Sequence, residues 1–289
     1  MIELLALYTW ALFSGVLSAM ALALLGCHLA SRDQSLQSLS VSQAATVGVL
    51  LGAALLVDHH PDSTESLLPV LTGILCAGGV FFLGERLVAN RRAAKTSVFL
   101  VLFTVLLALG YWIISYFPAL EGHMAQAFFG DLVTLSGSAI WISAIVSLLT
   151  LLTLIRYWKV FSNDSFNIPI IGVSYLGNKH TLTAFNALTL LLITISIYSL
   201  GLLFTIAYLF LPTVIFSYVR RPSLRLHLSL VILLAASSIL CGFILTLYYD
   251  RFPTVPTVVL VMLFQGLLLL MLINRFGFHN PTNTSVPFV

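Results

Sequence analysis

The sequence predicts an all-α polytopic membrane protein of about nine transmembrane helices, with its N-terminus outside and its C-terminus in the cytoplasm. Three observations carry this. Of 289 residues, 60% are hydrophobic and 8% are charged, against roughly 25% charged residues in soluble domains, so a water-soluble globule is excluded. The apolar residues run in stretches approaching the roughly 20 needed to cross a hydrocarbon layer about 30 Å thick. Only helices or closed barrels satisfy their backbone polar groups there. The basic residues fall on one side of those stretches.

The spans run approximately from Leu5 to Leu29, Ser42 to Val57, Leu67 to Val88, Ser97 to Tyr116, Leu132 to Ile155, Ala184 to Ser199, Leu202 to Val219, Leu226 to Tyr249 and Thr257 to Ile273. The first is too long, and too poorly followed by a small-residue cleavage site, for a removable signal peptide. The second and sixth are the short ones. With the N-terminus outside, 12 of the 13 Lys and Arg residues are cytoplasmic and only Arg251 is not, the asymmetry that sets orientation. Glu3, Asp58, Asp62, Glu65, Glu121, Asp131 and Asp250 show the reverse bias. Dropping any one helix would put the basic residues flanking it on opposite sides, which favours an odd number.

No linker divides the chain, so residues 1–289 read as one polytopic transmembrane domain. Cys27, Cys76 and Cys241 lie in apolar runs, where a free thiol behaves as a small hydrophobe. The basic residues come in ones and twos without aromatic interleaving, which gives no nucleic-acid stripe. The longest polar connection, about 156–183, is cytoplasmic and has an apolar centre from Phe166 to Val173, with Pro169 inside it. A short surface helix available to a cytoplasmic partner has this pattern, and a loop dipping into the interface has it too.

The motifs narrow the reading. Gly201-Leu-Leu-Phe-Thr-Ile-Ala207-Tyr-Leu-Phe-Leu-Pro212 resembles the glycine, alanine, leucine-rich, proline segment of permease subunits of metal-type ABC importers, which bring zinc, manganese or iron into bacteria. Four further stretches agree in order: Gly26 to Arg32 with Ser35, Leu36 and Ser42 to Gly48; Gly130-Asp131-Leu132 with Ser136; Asp164 with Gly172-Val173; and Gly242 to Asp250 with Pro253 and Pro256. The resemblance covers nearly the whole chain. It implies a dimer with a second permease chain, identical or different, in the bacterial cytoplasmic (inner) membrane. It also implies a periplasmic or extracellular metal-binding protein and a separate ABC ATPase. The chain has no GxxxxGK[ST] phosphate loop, so ATP is used by a partner and this subunit is not an enzyme. No cofactor is expected on the chain itself; the divalent ion is cargo.

Within that resemblance, Asp164, Ser165, Phe166, Pro169, Gly172 and Val173 form the coupling segment to the ATPase. Asp164 and Ser165 supply N-capping chemistry and Gly172 a stop, whereas Pro169 implies a kink or a late start. The family carries an acid and a histidine in its second-span motif, where this chain has Leu39 and Gln43. Ser42 and Gln43 remain as neutral oxygen donors, either lining the pathway or satisfying nearby backbone. Asp250 is the single metal-ligand candidate at the outer end of the pathway, with Arg251 as a possible neutralising partner. Asp58, His59, His60 and Asp62, around Pro61, read as a solvated outer loop or as a collecting site for metal. Cys27 and His28 read as packing residues, and Glu85 with Arg86 as a pair or as snorkelling side chains.

Other classes stay in view. An intramembrane enzyme lacks HExxH, GxSxG or a pair of acids within the spans. A secondary transporter would want ionisable residues near the midplane, whereas these lie at span ends. A degenerate permease that acts as a heterodimer partner or as a sensor remains the alternative.

Overall fold

The computed structural model describes residues 8–59, 67–90, 95–130, 132, 137–161, 179–219, 224–249 and 251–276. Among them all regular structure is helical. In chain order the helices are α1 (Thr9–Ser31), α2 (Ser35–His59), α3 (Leu68–Asn90), α4 (Lys95–Tyr116), α5 (Glu121–Phe129) and α6 (Gly137–Arg156). They continue as α7 (Lys179–Leu200), α8 (Leu202–Ser217), α9 (Leu224–Tyr248) and α10 (Thr254–Phe276). A 3₁₀ turn, Pro118–Leu120, leads into α5, and a further helical turn covers 158–161.

Among the described residues, eight helices are long and apolar enough to cross a membrane. The ninth apolar one, α8, has 16 residues, about 24 Å at 1.5 Å per residue. The two stretches expected to be shortest are not short: α2 has 25 residues and α7 has 22. Their polar ends extend the helices beyond the apolar stretches, because hydroxyls that resemble loop residues in sequence lie inside them. In α2, Ser38, Ser40, Ser42 and Thr46 all donate to carbonyls three or four residues back, which hides a hydroxyl inside a helix. The expected fifth span also starts late, with α6 beginning at Gly137 rather than at Leu132. The connection before it holds α5.

Side-chain pairings give the helix directions. Trp10 meets Trp141 with ring centroids 5.1 Å apart, the Ser18 and Ser147 hydroxyls are 2.8 Å apart, and His28 meets Trp158 at 4.7 Å. Hence α1 and α6 run the same way. Tyr8 lies beside Phe243 and Gly15 beside Ile239, so α9 runs against α1. Gln37 reaches Glu85 while Gly52 abuts Pro69, which makes α2 and α3 an antiparallel hairpin. Ser40 bonds to Phe99 and Val47 faces Gly110, so α4 follows α2. Short links between long helices force this alternation.

Because lipid is as apolar as leucine, small residues and close approach hold such helices together. At Gly26 an added Cβ would overlap the carbonyl of Leu209, and at Gly48 it would press on Thr72 and Gly73 of α3. The largest core collects around α1, α8 and α9, where Phe204, Tyr208, Phe216 and Phe243 are fully buried. Large apolar side chains such as Leu75, Trp112, Phe264 and Met271 face outward, as a lipid-facing surface requires.

Candidate functional site

Helix α2 is the place where polar chemistry enters the bundle. Its N-terminal half buries Gln37, Ser38, Ser40, Ser42, Gln43 and Thr46. Burial of a polar group costs free energy unless it is bonded, and the hydroxyls meet that demand from their own helix. Ser42 donates to the Ser38 carbonyl at 2.8 Å, so the backbone-satisfying role foreseen for it is present. Gln43 is different. It is 0% exposed, and neither its Nε2 nor its Oε1 has a hydrogen-bond partner among the described residues. Its amide points toward α4 at Gly110, where a Cβ would lie 3.9 Å from Nε2.

One turn and a half nearer the start of α2, Gln37 is 4% exposed and donates from Nε2 to Glu85 Oε1 at 2.9 Å. Glu85 in turn faces Lys95 Nζ at 3.8 Å, across the α3–α4 link. A small pocket opens beside Gln37, with Gln34, Ser38, Asn186 and Thr189 on its wall. Sequence reasoning missed this group. The density of amides and hydroxyls from Gln34 to Thr46 was the available signal, since apolar spans seldom carry so many.

The other candidates distribute unevenly. Asp250 lies outside the described residues, as do Asp164, Ser165, Phe166, Pro169, Gly172, Val173, His60 and Asp62. Asp58 and His59 belong to the last turn of α2 rather than to a loop, their side chains lying outside the described residues. Among the described residues no three His, Cys, Asp or Glu side chains converge into a metal-holding group. Cys27 and His28 pack as expected: the Cys27 thiol is 3.4 Å from the Thr213 hydroxyl, and His28 is enclosed by Trp158, Phe161 and Phe185.

At the opposite end of α7 the backbone makes a sharp break. Gly130 and Gly201 both have positive φ, 64° and 85°, a region that glycine enters without steric cost. They meet face to face. A Cβ on Gly130 would overlap the Leu200 carbonyl, and one on Gly201 would lie 2.5 Å from the Gly130 nitrogen. Next to this contact Leu132 fills the space at Gly15 and its N–H donates to the Thr254 hydroxyl at 3.4 Å. The glycine-to-proline motif therefore places its glycine at a helix break, Ala207 in the core and Pro212 within α8.

Comparison with known proteins adds the decisive observation. The model of the ABC 3 transport family matches residues 5–274. The chain belongs to the ABC 3 transport family. Among its relatives, the manganese transport system membrane protein MntC of Halalkalibacterium halodurans is 22% identical over 249 residues, 83% of this chain and 78% of that protein. The chelated iron transport system membrane protein YfeD of Yersinia pestis is 23% identical over 259 residues, 87% of this chain and 80% of the other. A chain of PsaBC from Streptococcus pneumoniae, solved in complex with Fab, superposes with a TM-score of 0.71 at 19% identity, covering 91% of this chain and 90% of that one. The resemblance to metal-type ABC permeases drawn from the motifs is thus met at the level of the family, and this ABC 3 member is a multi-pass membrane protein.

Proposed function

We propose that this chain is the membrane-spanning permease subunit of an ABC importer that carries a divalent transition metal into the cell, driven by a separate ATPase. The family match through residues 5–274 carries the reading. Manganese and iron come forward as cargo because the relatives are named for manganese and chelated iron transport. Zinc, which the motif resemblance also allows, has no such named relative among those above. The chain sits in the bacterial inner membrane with nine crossings, α8 being the short one, and with its N-terminus outside. It pairs with a second permease chain and takes its ion from an extracytoplasmic binding protein.

In this reading Ser42, Gln43 and Asp250 line the route, and Asp58, His59, His60 and Asp62 collect ions at the outer mouth. Asp164, Ser165, Phe166, Pro169, Gly172 and Val173 contact the ATPase. Gln43 offers an uncharged oxygen where the family has a histidine. A neutral amide binds a divalent ion weakly, which suits a step that must release its cargo. The buried, unpartnered state of that amide supports this role.

The test is uptake of radioactive manganese, iron and zinc by vesicles containing the chain reassembled with the ATPase and binding protein of its own gene neighbourhood. ATP-dependent accumulation of one ion, lost on Asp250→Ala, is the expected result. A second reading is favoured by Leu39 and Gln43 standing where the family has an acid and a histidine: this chain is one half of a heterodimer whose sister carries both ligands. Uptake only when a second permease gene is co-expressed would select it, and ion-dependent ATPase stimulation without uptake would select a sensor.

A further inference from the structure

The link between α1 and α2 is three residues long, and it is built as a rigid elbow. Asp33 has φ 53°; its N–H bonds to the Ala30 carbonyl, and the N–H of Gln34 bonds to the Leu29 carbonyl at 2.9 Å. This pair of bonds closes a helix end in the Schellman manner, fixing the direction in which the chain leaves. Arg32 occupies the C-cap of α1 and is 9% exposed. Its guanidinium carbon sits 4.1 Å from the centroid of the Phe185 ring, and Nη2 donates to the Phe161 carbonyl at 3.3 Å.

The two residues so engaged are not neighbours in sequence. Phe161 ends the helical turn after α6, immediately before residues 162–178, and Phe185 lies in the second turn of α7, after them. The rings of Phe161 and Phe185 are 5.4 Å apart, and His28, 3% exposed and one turn back along α1, packs against both and against Trp158. A planar cation over a ring, with a directed bond to a main-chain carbonyl, is a geometry that lysine does not reproduce. One side chain therefore grips both flanks of the segment proposed to meet the ATPase. Three residues beyond Arg32, at Ser35, α2 begins, the helix that carries Ser38, Ser42 and Gln43.

We propose that Arg32 is a positioning residue that ties the flanks of the 162–178 segment to the α1–α2 elbow, so that displacement of that segment by the ATPase is delivered to the polar half of α2. The inference rests on the permease reading above. Motion travels through packed elements that have discrete arrangements, and here the path is short: Phe161 and Phe185 to Arg32, then through the rigid elbow to α2.

The experiment measures ions accumulated per ATP hydrolysed, in vesicles holding the complete transporter with wild type, Arg32→Ala, Arg32→Lys or Phe185→Leu. Arg32→Ala is expected to hydrolyse ATP while its ion-to-ATP ratio falls at least about fivefold, the lower end of ordinary coupling strengths. Arg32→Lys keeps the charge near the ring but loses the fork and recovers part of the ratio. Phe185→Leu keeps an apolar side chain at the position, removes the ring face, and lowers the ratio in the same direction; it also answers the question if Arg32→Ala fails to assemble. Uptake and hydrolysis falling together, with the ratio unchanged in the assembled variants, would mean that Arg32 only holds the fold and would overturn the inference. A wild-type complex that neither takes up metal nor hydrolyses ATP in response to it would overturn the permease reading first, and this inference with it.

Discussion

Helices α1 and α2 are the two most enclosed spans of the molecule, with 67% and 78% of their apolar windows buried, yet they solve burial in opposite ways. Between Ser14 and Leu25, α1 is small and apolar: Ala19, Ala21 and Ala23 are fully buried, and the hydroxyls of Ser14 and Ser18 are bonded. In α2 six polar side chains are buried between Gln37 and Thr46, and they include two amides with atoms that find no partner among the described residues. A hydroxyl can borrow a carbonyl from its own helix; a glutamine, with two donors and an acceptor carried further out, is harder to satisfy that way. The difference separates the packed middle of α1 from a helix that keeps spare polar capacity in its buried half. Such capacity is costly enough to mark a functional route.

Substitutions can break or sharpen this contrast. The largest effect belongs to α1. Gly26→Val forces a branched side chain into the Leu209 backbone, and overpacking against main chain exceeds the usual cost of about 1–3 kcal/mol; loss of the folded chain from detergent size-exclusion profiles is expected. Next comes α2, with the opposite sign. Gln43→Leu removes an unpartnered amide and should raise thermal stability in detergent, by about 1 kcal/mol, while uptake falls. A Gln43→Leu variant that is less stable than wild type would show that the amide is satisfied in the membrane. Installing the family's ligands with Leu39→Asp and Gln43→His should tighten manganese or zinc binding at least about tenfold, or about 1.4 kcal/mol, read by isothermal titration. Ser18→Ala, which breaks the contact to Ser147, is expected to cost only about 0.6 kcal/mol, the mean for interhelical hydrogen bonds in membranes. Thr104→Ala, on the exposed side of α4 and bonded only to its own helix, should shift the melting temperature least of all.

What the sequence made legible follows the physics of each signal. Apolar length located the eight helices long enough to cross a membrane and the shorter α8 among the described residues, because the hydrocarbon thickness imposes one scale on crossing helices. It failed at helix ends, where the serines of α2 mimic a loop and only their bonds to earlier carbonyls show otherwise. It also passed over α5, nine residues long, because a helix of that size has too little apolar surface to stand out between two spans. The glycine-to-proline segment was readable since a positive φ and a tight approach both demand glycine at 201. Of the candidate site, Gln43 was visible as a substitution within a motif. The Arg32 grip was not, because Arg32, Phe161 and Phe185 lie in three separate parts of the chain and no periodicity links them.

The contact between Gly130 and Gly201 has its own consequence. Two main chains that touch without side chains between them have no padding to compress, so the end of α5 and the bend between α7 and α8 form a hard joint. If the helix bundle rearranges, those three pieces travel as one body, and the give must come from the links around them.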